Sequence, residues 1–228
     1  TTWLLSLRNR TRRAEFLRAE LDRDIATLDA MISAQLDAVL FHPRLQRLEG
    51  SWRGLHWLVD RLPASGGRIR LKVLQARWAE VCRDIERALE FDQSHLFRKI
   101  HDEEFGMAGG EPFGLIVGDY EMRHRPGPSH PTDDIVALTG LARIAAACFS
   151  PMIVGASPDV LGVGEVADIS PSFVPARVLQ GPDHQRWRQA SVQEDLRFVG
   201  VVLPRMLARA PWADDGARVD RFRFRSRR

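Results

Sequence analysis

The stretch Glu90–Glu121, EFDQSHLFRKIHDEEFGMAGGEPFGLIVGDYE, constrains this chain most, because within it a polar amphipathic segment must turn into an apolar strand. Asp102, Glu103 and Glu104 are consecutive. On a helix their carboxylates splay around more than half of the circumference and converge on no single point, which argues against a two-carboxylate catalytic centre. Gly106, Gly109, Gly110 and Gly114, with Pro112, then supply the dihedrals and close approach that a helix-to-strand turn requires. Phe113–Val117 is apolar on both faces, so it is expected in the middle of a sheet.

Upstream, Glu15–Leu40 reads as a long amphipathic helix with Leu21, Ile25, Leu28, Ile32, Leu36 and Val39 at steps of three and four. Its stripe faces either the protein's own core, the favoured reading, or a seam with another chain. The helix is expected to stop near Phe41 or His42, because Pro43 disfavours helical dihedrals in the residue before it. Pro43 opens a second helix with Leu45, Leu48, Trp52, Leu55 and Val59 on one face, and Gly50 and Gly54 in it imply a close neighbour. Pro63–Gly67 reads as a turn, Ile69–Leu74 as an alternating strand, and Trp78, Val81, Cys82, Ile85 and Leu89 as a third helical stripe.

Beyond Glu121, a polar segment rich in proline and histidine fits an exposed loop. Thr132 is expected to cap a helix with Asp133 and Asp134 in its first turn and Ile135, Leu138, Leu141 and Ile144 inward. Pro151–Ala156 follows as a strand, making a parallel crossover unit with the strand before it. Gly162–Pro182 is loop-like, Gln180–Trp187 is a turn feeding the next element, and Phe198–Leu203 is expected as a buried strand that Pro204 ends. The pattern predicts an α/β fold, a layered mixed sheet with flanking helices and a long N-terminal amphipathic helix. It divides the chain into an N-terminal helical region, residues 1–62, and an α/β domain with a basic C-terminal tail, residues 63–228.

Charge and composition exclude several functions. The net charge is +3, but the last ten residues, VDRFRFRSRR, contribute +4, so the basic balance reports a tail and weakens a nucleic-acid reading. No apolar run approaches the roughly 20 residues a membrane span requires, and the Trp3-Leu4-Leu5 patch precedes its arginines, the reverse of a secretory signal. The chain starts with Thr-Thr, which is consistent with a fragment. Cys82 and Cys148 suit reduced core residues of a cytoplasmic protein.

Candidate chemistry is sparse. No segment has the GxxxxGK[ST] spacing of a phosphate loop, and Gly155, Gly162 and Gly164 form no GxGxxG. His101 with Asp102, Glu103 and Glu104 reads as a solvated acidic face or an intersubunit salt-bridge surface. Asp119 and Glu121 share a strand face without a suitably spaced histidine or lysine. His124 and His130 lie in a loop and are weak evidence for zinc, and Ser150, Ser157 and Ser170 lack a GxSxG elbow. Lys72 and Lys99 are the chain's lysines, and every other basic side chain apart from histidine is arginine, which favours bidentate pairing with carboxylates. No catalytic residue, metal or cofactor is expected.

Three blocks carry a resemblance: EFDQS-x-LF-x-KI-x-x-EEFG with GGEPFG-x-x-VGDYE, then HPRLQRLEGSWRGL at His42–Leu55, then RWRQASVQEDLRFVGVVLPRMLARAPW at Arg186–Trp212. In these the chain resembles the large subunit of the type VI secretion contractile sheath, the TssC, VipB or ImpC family. Ser191 departs from the basic residue common there. The resemblance implies a sheath-type domain in a cytoplasmic bacterial structural protein that pairs with a small sheath subunit of the TssB or VipA type and with other copies of itself. Their helical tube surrounds an inner tube protein, which contraction propels. It also implies recycling by a ClpV-type AAA+ unfoldase through an N-terminal segment, to which residues 1–20 show no match.

Relatives are much longer. An alternative is therefore a truncated sheath-like module that caps or titrates the small subunit without polymerising. An enzyme using Asp102, Glu104 or Asp119, and nucleic-acid binding through the arginine-rich ends, are the remaining readings. The motif blocks point to Trp52, Arg53, Glu103, Glu104, Arg186 and Glu194 as partner-binding residues, although each could equally hold its own fold together.

Overall fold

The computed structural model describes residues 2–62, 69–203, 206–210, 222 and 224, with side chains from residue 13 onward. The turn expected at Pro63–Gly67, the strand end at Pro204 and nearly all of the basic tail lie outside the described residues. The chain forms two compact units, one of Thr1–Ile69 with Leu207–Arg228 and one of Arg70–Met206.

The first unit contains α1 (Thr2–Leu40) and α2 (Pro43–Asp60). The break falls where proline dictates: His42 is extended (φ −68°, ψ 127°), and its Nδ1 accepts from the Arg44 N–H at 3.2 Å, capping α2 over Pro43. The α1 stripe does not face a core. Leu21, Ile25, Leu28, Ile32 and Val39 are 46–60% exposed, Leu36 is half-buried, and among the described side chains of α1 the buried ones are Ser33 and Asp37. Gly50 and Gly54 likewise have no close neighbour, since a Cβ at either would meet nothing within 4 Å. In this unit Glu49 accepts from Arg53 on its own helix at 2.8 Å and from Arg209, 160 residues on, at 2.7 Å.

The second unit carries α3 (Trp78–Arg87), a short α4 (His95–Phe97) continuing as a π-helix over Arg98–Phe105, β1 (Ile116–Met122), α5 (Asp134–Ala147), β2 (Met152–Ala156), α6 (Pro175–Leu179), α7 (Gln185–Ser191) and β3 (Val199–Val202). The strands form one three-stranded sheet in the order β1-β2-β3, with both pairings parallel. The α/β class and the long N-terminal helix are as the sequence leads one to expect.

Expectations for the strands and for the end of α3 are corrected. Strand β1 starts at Ile116 and lies at the sheet edge, with Val117 61% exposed; the apolar run is shared between the sheet and a cluster in which Phe113 packs near Phe97 and Ile144. Ile69–Leu74 pairs with no strand; alternation dictates an extended backbone but a ladder needs a neighbour, and Arg70–Glu111 and Lys72–Glu104 ion pairs tether it instead. Strand β3 alternates half-buried and exposed positions and is not fully buried. Helix α3 ends at Arg87, which leaves Leu89 90% exposed off the stripe.

Helix α5 is the core. Ile135, Ala137, Leu138, Leu141, Ala142, Ile144 and Ala145 bury nearly its whole circumference, against α3 and Met152 on one side, Met122 and Val154 on another, and Phe97 and Ile100 on a third. Close approach to α3 depends on Gly140, where a Cβ would stand 2.3 Å from Ile85 Cγ2. Cys82 and Cys148 are buried free thiols, as expected of core cysteines, and burial pushes them up to about 12 and about 11.

Asp133, not Thr132, caps α5, its Oδ1 accepting from the Val136 N–H at 3.3 Å. Asp134 stands in the first turn of α5, as expected, and is buried there. It is 2% exposed, and its carboxylate accepts from Trp78 Nε1 (2.7 Å), Thr132 Oγ1 (2.7 Å), the Arg123 backbone N–H (2.8 Å) and His130 Nε2 (2.7 Å).

Replacing Asp134 with alanine strands these donors away from water, and urea denaturation is expected to show a loss of about 3–5 kcal/mol. Gly140→Ala overpacks the α3–α5 contact by more than its helix-propensity gain, for an expected net loss of about 1–2 kcal/mol by the same measurement.

Candidate partner interface

The six residues singled out from the motif blocks do not form one cluster with shared partners. Trp52 on α2 is 64% exposed. Beside it Arg53 pairs with Glu49. In the second unit Glu103 pairs with Lys99 at 2.7 Å, Glu104 with Lys72, Arg186 with Asp133 at 2.6 Å and Glu194 with Arg197 at 3.2 Å. Bonding to Lys72 holds the Glu104 carboxyl below its ordinary range. Arg186–Asp133 ties α7 to the cap of α5, whereas the Lys99–Glu103 and Glu194–Arg197 pairs are local and exposed, a class that contributes little stability.

The acidic run behaves as its spacing implies. Asp102 takes the His101 ring at 2.9 Å, so the three consecutive carboxylates have three different partners. Among the described residues no three His, Cys, Asp or Glu side chains gather at metal-binding spacing. A register shift between Gly118 and Glu121 interrupts the alternation of β1 and with it the alignment of Asp119 and Glu121.

The two loop histidines diverge. His130 is committed to Asp134, while His124 is buried and stacks on His184, with ring centroids 4.3 Å apart and planes 18° from parallel. The His184 Nε2–H donates to the Val160 carbonyl at 2.8 Å. His124 Nδ1 is buried without a hydrogen-bond partner, and the nearest carboxylate oxygen, Asp159 Oδ2, is 3.6 Å away. Sequence reasoning missed this pair, because His184 sits in a segment read as a turn and no periodicity links positions sixty residues apart.

Burial, helped by the adjacent His184, lowers the His124 pKa from its ordinary 6.5 against the pull of Asp159. The unfolded chain therefore takes up this proton first as pH falls. The stabilising contribution is complete above about pH 6.5 and is lost as pH drops towards the folded value. Thermal midpoints measured between about pH 7.5 and 5.5 are expected to fall less for His124→Phe than for the unsubstituted chain.

Two comparisons bear on identity. The chain is 35% identical over 202 residues to the type VI secretion system sheath protein TssC1 of Pseudomonas aeruginosa, an alignment that takes in 88% of this chain and 39% of that protein. The chain thus spans well under half the length of this curated relative. A family model described as the EvpB-type tail sheath N-terminal domain matches residues 22–228, which includes all three motif blocks and the whole Arg70–Met206 unit. On that match the chain belongs to the VipB family of tail sheath proteins.

Proposed function

We propose that the chain is a structural component of the type VI secretion contractile sheath, pairing with the small sheath subunit to form a helical tube whose contraction propels the inner tube. The observation that carries this beyond family membership is the uncovered stripe of α1, where Leu21, Ile25, Leu28, Ile32 and Val39 stand exposed along several turns. Contiguous apolar surface of this kind marks a protein-binding face, and three-and-four spacing fits another helix.

Trp52 and Trp57, 64% and 48% exposed on α2, add the large amphipathic side chains in which binding energy concentrates. Arg53, Glu103, Glu104, Arg186 and Glu194 are proposed as polar contacts that exchange their present ion pairs for partner groups. Such exchange supports a mechanism in which a metastable extended assembly relaxes as new intersubunit contacts form, with no bond chemistry in this chain. In this reading the protein works in the bacterial cytoplasm, with other copies of itself, the inner tube protein and a ClpV-type unfoldase as its further partners. No helix among the described residues is long and apolar enough to cross a membrane.

Co-expression with the cognate small sheath subunit, followed by co-purification and negative-stain electron microscopy, tests the proposal. Tubes are the expected result, and Leu21→Asp combined with Ile25→Asp is expected to abolish co-purification while leaving the thermal midpoint unchanged. A soluble complex without tubes would instead fit a module that caps or titrates the small subunit. Absence of any association would overturn both.

A further inference from the structure

The stacked histidines floor an open cleft of about 310 Å³. Its rim carries Asp159 and Asp183, 40% and 71% exposed, and Arg125, whose Nη1 lies 3.9 Å from Asp183 Oδ2. Gly162, Gly164 and Gly181 also line it, with Val163, Val178 and Pro182, and Gly162 is in the left-handed region at φ 70°. Two carboxylates against one guanidinium leave the cleft net negative, so a cation fits it better than an anion. At its base is the one unusual group, the Nδ1 of His124, buried with its residue 4% exposed and without a hydrogen-bond partner, 3.6 Å from Asp159 Oδ2.

A metal ion is a poor match, because the described residues bring no three ligating side chains together. An ammonium is compact and strongly hydrated, and a shallow cleft offers it little. A guanidinium is planar, weakly hydrated and carries five N–H donors in a fixed fork, so it can approach an imidazole edge and donate to its ring nitrogen and to neighbouring carboxylates at once. The competing Arg125–Asp183 contact is long and exposed on both sides, hence cheaply displaced.

We propose that this cleft receives an arginine side chain presented by a neighbouring chain in the assembled state, its guanidinium meeting the edge of the His124–His184 stack and bonded to His124 Nδ1, Asp159 and Asp183. Only the source of the arginine rests on the assembly reading above; the chemistry of the cleft does not.

The test follows the imidazole carbon-bound proton signals of His124 and His184 by NMR in the whole chain at about pH 7.5. The probe is Nα-acetyl-argininamide, with the lysine and citrulline amides as the ammonium and the uncharged isostere. Saturable shifts of both rings are expected with arginine, at least about fivefold weaker binding with lysine, and none with citrulline. Asp159→Asn combined with Asp183→Asn, both at exposed positions, is expected to abolish the shifts on ligand addition while the thermal midpoint at about pH 7.5 stays unchanged, and His124→Phe to weaken binding while keeping the stack. Unmoved ring signals, equal response to citrulline or lysine, or survival of the response in the double asparagine variant would each overturn the assignment. Because this measurement needs no assembly, its failure leaves the co-purification result standing, and the reverse also holds.

Discussion

The carboxylate of Asp134 is the contact on which the Arg70–Met206 unit depends. Taking a carboxylate out of water is costly, and the cost is offset only if its oxygens are fully bonded. Here four donors come from three places: the Trp78 indole at the start of α3, the Arg123 amide just past β1, and His130 and Thr132 in the loop before α5. One side chain therefore fixes a helix, a strand end, a loop and the first residue of the central helix relative to one another. Trp78, so placed, lies 5.0 Å from Tyr120, whose hydroxyl donates to the Ala76 carbonyl at 2.9 Å, carrying the constraint back into the segment before α3.

Around that anchor, apolar packing is arranged by size. Helix α5 lies close to α3 because position 140 has no side chain, and β2 crosses the bulged part of β1 because position 155 has none, a Cβ there standing 2.7 Å from the Tyr120 carbonyl oxygen. Among the described residues nothing comparable covers α1. Its apolar stripe meets the period of a core helix yet lies exposed, so periodicity alone shows that a helix has a face to bury and not what buries it.

That distinction sorts what could be read from the chain. Pro43, the spacing of the α5 side chains and the β-branched run at Ile153 and Val154 act locally, and the elements they imply are present. The missing ladder at Ile69–Leu74 and the edge position of β1 depend on which segments become neighbours, a non-local matter that local pattern does not carry. The same holds for the site residues. Trp52 is exposed, and Asp134 stands in the first turn of α5 as its position implies, but the burial of Asp134 and its four donors, contributed by residues as distant as Trp78, leave no local pattern. The His124–His184 stack had no signal at all, since neither residue belongs to a periodic element that points at the other.

The bond between Glu49 and Arg209 has a temporal meaning. A ribosome releases the chain from its N-terminus, so α1 and α2 emerge first, but the group that closes on Glu49 arrives 160 residues later. Domains fold as units while synthesis proceeds, and the Arg70–Met206 unit, contained between those two points, has every residue it needs before its neighbour does. Of these two units, the one that begins earlier is thus completed later, and for that interval the apolar stripe of α1 is displayed on a helix whose own unit is still unfinished.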